Sequence, residues 1–138
     1  MTIYFEDITL GQTAQFRKTV TEADVVLFAG ITGDHNPVHT DEEYARETPF
    51  KGRIAHGLLT ASLVSTVLGN QLPGPGTIYV SQIMRFTAPV HIGDTVTASV
   101  RVTTLDPVRH RVTLAIRCSV ADTTVLEGEA VVIAPRRG

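Results

Sequence analysis

The sequence predicts an α+β fold with one buried central helix and roughly five antiparallel strands. Three observations predict it. The run from Gly57 to Leu72 is apolar almost all the way round a helical circumference, and such a helix belongs inside something. From Thr77 onward the pattern changes to β-rich stretches. Those stretches are joined by short turns, which suit antiparallel pairing and leave no room for the crossover that parallel strands need.

The elements follow in order. Ala14 to Val20 reads as the first strand, with Phe16 and Val20 on one parity. Thr21 is placed as an N-cap, with Asp24 three residues on in a loose capping box. Ala23, Val26, Leu27 and Gly30 then follow at helical spacing, and that helix ends between Gly30 and Gly33. Asp34 to His39 is expected to be turned backbone, not regular helix. Pro37 has no N–H and disfavours the helical conformation at Asn36. Asp41 to Arg46 is a short acidic helical turn. The buried helix carries Leu58, Leu59, Leu63, Val64, Val67 and Leu68, with only small polar residues between them, and Pro73-Gly74-Pro75-Gly76 stops it. Thr77 to Phe86, Asp94 to Leu105, His110 to Val120 and Thr123 to Ile133 read as strands. In the third of these, Val112, Leu114 and Ile116 alternate with Thr113, Ala115 and Arg117. With the first strand this gives five strands and one central helix, in a single domain over residues 1–138.

Composition narrows the function classes. With 43% hydrophobic residues the chain is globular and not disordered. A net charge of −2 gives no overall attraction to nucleic acid or to an anionic membrane, so neither is expected as a partner. No stretch approaches the roughly 20 uninterrupted apolar residues of a membrane span. The lone Cys118 excludes an intramolecular disulfide and fits a reducing compartment. The N-terminus lacks a basic region followed by an apolar run. A cytoplasmic protein is expected.

The chemistry concentrates in Gly33-Asp34-His35-Asn36-Pro37-Val38-His39. A carboxylate and an imidazole on a turned backbone can share one water and run proton transfer near neutral pH. Taken alone, Asp34 and Asn36 are also good turn residues, and a single His39 is often only a surface or satisfied buried histidine. His35 and His39 are spaced i, i+4, which on a helix could bind zinc. Pro37 undermines that helix and no third ligand stands out, so no metal is expected. Cys118 sits in an alternating strand and reads as a packed thiol. The basic clusters Arg109-His110-Arg111 and Arg136-Arg137 read as a solvated turn and tail.

The same motif, with Ala45 beyond it, resembles the signature of the MaoC-like, hydratase 2 family, the (R)-specific enoyl-CoA hydratases of hot-dog fold. Ile54-Ala55-His56-Gly57-Leu58-Leu59 resembles that family's entry into its central helix, and Phe86-Thr87-Ala88-Pro89-Val90 through Gly93-Asp94 its next strand and turn. The resemblance implies a hot-dog domain, a homodimer, and syn addition of water to trans-2-enoyl-CoA giving (R)-3-hydroxyacyl-CoA. It implies Asp34 and His39 as the catalytic pair and the Gly57 N–H as donor to the thioester oxygen. Asn36, His56 and Ser65 follow as supporting residues, with Ser65 matching a serine that bonds the catalytic aspartate in relatives. CoA enters as part of the substrate, and no separate cofactor is implied. Two other readings fit the same scaffold: a (3R)-hydroxyacyl-carrier-protein dehydratase, and a non-catalytic acyl-thioester binding module.

Overall fold

A computed structural model describes residues 1–138. Five strands form one antiparallel sheet: β1 (Thr13–Thr19), β2 (Ile78–Phe86), β3 (Thr95–Asp106), β4 (Arg111–Val120) and β5 (Thr123–Ile133). Their order across the sheet is β1-β3-β4-β5-β2. Between β1 and β2 the chain forms α1 (Glu22–Thr32), the single turns α2 (Pro37–Thr40) and α3 (Glu42–Arg46), and the long α4 (Gly57–Asn70).

The sheet curls around α4. Alternation puts Val96, Ala98, Val100 and Val102 of β3 and Val112, Leu114, Ile116 and Cys118 of β4 on the inner face, all buried. They meet Leu63, Val64, Val67 and Leu68 of α4. Cys118 is part of this wall, and burial pushes its thiol up to about 12, so it packs as an inert side chain. The helix is not covered all round, as the sequence had suggested. Leu58, Ser62 and Ser65, spaced along one stripe, stay exposed. The edge strand β2 also keeps Ile83 (76% exposed) and Phe86 (52% exposed) outside the core.

The capping box at α1 forms in full. The Thr21 hydroxyl accepts from the Asp24 N–H, and the Asp24 carboxylate accepts from the Thr21 N–H. Gly33 ends the helix in the left-handed region, at φ 80°, where a side chain would be strained. The buried face differs from the one expected. Val25 and Ala29 point inward, and Val26 and Leu27 are exposed.

One expectation is corrected around Pro37. The segment contains a helical turn because proline is placed at its first position, where no N–H is needed. The restriction on the preceding residue is met as well, since Asn36 is the non-helical N-cap and its side chain accepts from the Val38 N–H at 3.2 Å.

Gly128 of β5 stands opposite Met84 of β2. A Cβ there would lie 1.9 Å from the Ile83 carbonyl oxygen, a backbone atom that cannot yield without breaking the pairing. Gly128→Ala is therefore expected to lower folding stability by about 3 kcal/mol or more, read by urea denaturation. An unchanged midpoint would contradict the close approach of β2 and β5.

Candidate active site

The site forms where the Asp34–His39 loop meets the start of α4, and one extended segment holds the two together. The Arg53 Nε donates to the His39 carbonyl at 2.6 Å, and the Ile54 N–H donates to the Val38 carbonyl at 3.2 Å. His39 Nδ1 meets the Ile54 carbonyl at 2.7 Å, and His56 Nε2 meets the Asp34 carbonyl at 3.0 Å. On its other side the segment is anchored by the Ala55 N–H donating to the Val90 carbonyl at 2.7 Å. Arg53 is itself held by an ion pair to Glu22 of α1 at 2.7 Å. Residues 53–56 therefore act as a splint along the loop.

These bonds fix the chemistry of each group. A carbonyl can only accept, so the neutral His39 ring carries its proton on Nδ1 and leaves the Nε2 lone pair free. His39 is buried. Burial pushes its imidazole below the usual histidine range, with His56 acting the same way, against the Ile54 carbonyl and the Asp34 carboxylate. Both effects favour the uncharged His39 ring, with its Nε2 lone pair free. Asp34 is exposed, and its carboxylate accepts from the Asn36 N–H at 3.2 Å through one oxygen. One carboxylate oxygen of Asp34 and one ring nitrogen each of His39 and His56 lie within 4.8 Å of one another.

Gly57 is the first residue of α4, and the first intrahelical donors are the N–H groups of Leu59 and Thr60, both onto the His56 carbonyl. The Gly57 amide sits at the positive end of the helix, without an intrahelical acceptor. The absence of a side chain is needed here, since a Cβ would lie 2.8 Å from the Phe86 ring. Asp34, His39, His56, Gly57 and Phe86 all line one cavity of about 730 Å³ whose remaining wall is mostly apolar. An apolar chain can lie in it with a polar head at Asp34 and His39.

The sequence-predicted residues divide clearly. Asp34, His39, His56 and Gly57 come together. Asn36 caps α2 and so orients the loop. Ser65 does not reach Asp34 within the chain. It lies exposed two turns along α4, away from the cavity wall. His35 is exposed and outside the cluster, so the i, i+4 pairing with His39 does not form. The Asp34, His39 and His56 set fits a metal poorly. The two rings are stacked 24° from parallel with centroids 3.9 Å apart, a face-to-face packing unlike the spread of ligands in a tetrahedral site. Sequence reasoning missed the Arg53 clamp and the Phe86 ring, because neither residue type stands out without knowing what it touches.

Comparison with known proteins places this geometry. The family described as MaoC like domain matches residues 7–124. An (R)-specific enoyl-CoA hydratase of Rhodospirillum rubrum is 56% identical over 135 residues, covering 98% of this chain and 94% of the relative. A 3-hydroxybutyryl-CoA dehydratase of Methylorubrum extorquens is 53% identical, covering 98% and 86%. The solved (R)-hydratase from A. caviae involved in PHA biosynthesis superposes with a TM-score of 0.92 at 42% identity, covering 94% of this chain and 99% of that one.

His39 gives a pH prediction. Its folded-state affinity for protons is depressed, so the unfolded chain binds more protons as pH falls through the ordinary histidine value near 6.5. Folding stability is expected to be full above that value and to decline below it. His39→Gln is expected to flatten that part of the slope. Urea denaturation across a pH series checks it, and identical slopes for both proteins would contradict a buried neutral His39.

Proposed function

The chain belongs to the MaoC-like domain family, and on that premise we propose that it adds water to trans-2-enoyl-CoA thioesters to give (R)-3-hydroxyacyl-CoA, and runs the reverse dehydration. The observation that carries the reading is the Asp34 carboxylate and His39 ring within 4.8 Å, beside the open amide end of α4 in an apolar cavity. Relatives covering most of the chain carry the same two activities in their names.

The steps follow from the groups present. The His39 Nε2 lone pair takes a proton from water while the water oxygen bonds to C3 of the enoyl chain. The double-bond electrons move toward C1, and the thioester oxygen gains negative charge. The Gly57 N–H, at the positive end of α4, donates to that oxygen. His39 then returns its proton from Nε2 to C2, and the carbonyl re-forms. The Asp34 carboxylate holds the second hydrogen of the water and stabilises the transient imidazolium. Hydroxyl and proton reach the same face, so the addition is syn. No metal or prosthetic group takes part in this proposal.

A second copy of the chain is the proposed partner. The exposed stripe of α4 and the unpaired edge of β2, where Ile78 and Ile83 are exposed, leave surface that a homodimer would cover. Light scattering is expected to give a mass near twice 14.9 kDa, and a monomer at working concentration would contradict this part.

Asp34→Asn and His39→Gln are each expected to lower kcat by about 10²–10⁴-fold, with melting temperature close to wild type. Loss of enoyl conjugation in crotonyl-CoA measures turnover, and chiral chromatography identifies the product. Near-normal rates in either variant, or an (S) product from the wild type, would contradict the mechanism.

A further inference from the structure

His56 is the most buried titratable side chain at the site, at 2% exposure, and the steps above give it no proton to carry. It caps α4 but makes no side-chain capping bond to the helix. Its Nε2 instead reaches back to the Asp34 carbonyl at 3.0 Å. Its Nδ1 is buried without a hydrogen-bond partner. A buried polar atom left alone costs stability, and the Asp34 carbonyl can only accept. The proton therefore sits on Nε2, where the Asp34 carbonyl can accept it. Its ring is sandwiched. His39 stacks on it with centroids 3.9 Å apart and planes 24° apart, and Phe28 of α1 lies on it at 4.9 Å. The titratable groups facing it are His39 from α2 and Asp34 from the loop, while α1 presents only Phe28.

We propose that His56 is a positioning residue with two separable contacts: its Nε2–H ties the main chain of Asp34 to the start of α4, and its ring covers one face of His39. The first contact fixes the carboxylate relative to the Gly57 amide, because His56 and Gly57 are neighbours. The second keeps water from that face of the imidazole and so maintains the burial that holds His39 in its neutral form. This inference rests on the hydratase reading for its kinetic readout, but its structural content does not.

Two substitutions separate the contacts. His56→Phe keeps a ring between Phe28 and His39 and removes the donor. It is expected to lower kcat by about 10²-fold, the typical cost of a misplaced catalytic group, with KM and the acid limb of the pH profile nearly unchanged. His56→Gln places an amide N–H where Nε2 stood and removes the ring. It is expected to keep kcat within about tenfold of wild type at alkaline pH, while the acid limb moves up toward the ordinary histidine range. Nitrogen NMR of the unliganded wild type adds a readout independent of turnover. His56 is expected to carry its proton on Nε2 and His39 on Nδ1. Wild-type kcat in His56→Phe, an unmoved acid limb in His56→Gln, or the Nδ1–H form of His56 would each overturn the proposal. If a variant fails to fold, the wild-type tautomers still decide it. Wild-type protein that leaves crotonyl-CoA untouched would instead overturn the hydratase reading, and the NMR result would stand apart from that failure.

Discussion

The extended segment from Arg53 to His56 is the constraint on which the rest of the site depends. It connects three things that the chain order keeps apart: the loop carrying the acid, the one-turn helix carrying the imidazole, and the amide end of α4. The first two connections are hydrogen bonds to or from main-chain atoms, from 2.6 to 3.2 Å, and the third is the chain itself, which runs from His56 into α4. Each bond has a main-chain atom on at least one side, so the Asp34 and His39 side chains are placed relative to the backbone of the segment. The Arg53–Glu22 pair extends the same constraint to α1. Exposed ion pairs contribute little to stability on their own. Here the Arg53 side chain is mostly covered and its Nε is already committed to His39, so the pair serves mainly to aim a group.

The Ile54 carbonyl illustrates how a single acceptor decides which ring nitrogen of a histidine is left free. By requiring a proton on Nδ1 it leaves Nε2 as the lone-pair site. Burial then favours the uncharged ring. Together these leave His39 with the free lone pair that the proposed mechanism asks of it. The helix supplies the other half. Its first amides lack acceptors inside the helix, and an anionic oxygen is the group best suited to that position.

Much of this was legible in the sequence, for identifiable reasons. The inner face of β4 could be read because alternation is strict there and one side is fully buried. The Thr21–Asp24 box was readable because it is local. Other features were not, because they depend on what packs against what. The α1 face was misplaced since Val26 and Leu27 are apolar but exposed. Pro37 signalled a break, yet the same ring suits the first position of a helical turn. Asp34, His39 and Gly57 were found through a motif. The stack of His56 on His39 and the reach of Arg53 join residues from different elements, and no periodicity encodes them. Ser65, placed at the site by resemblance, makes no hydrogen bond to Asp34 within one chain and lies eight residues, about 12 Å, along α4 from Gly57.

The central claim is that one water, held between Asp34 and His39, supplies both the hydroxyl and the proton to one face of the double bond. Hydration of crotonyl-CoA in deuterium oxide tests it most directly, with the relative configuration at C2 and C3 of the product read from proton coupling constants. The account predicts a single deuterium at C2, on the same face as the new hydroxyl. Deuterium on the opposite face, or equally on both, would contradict it.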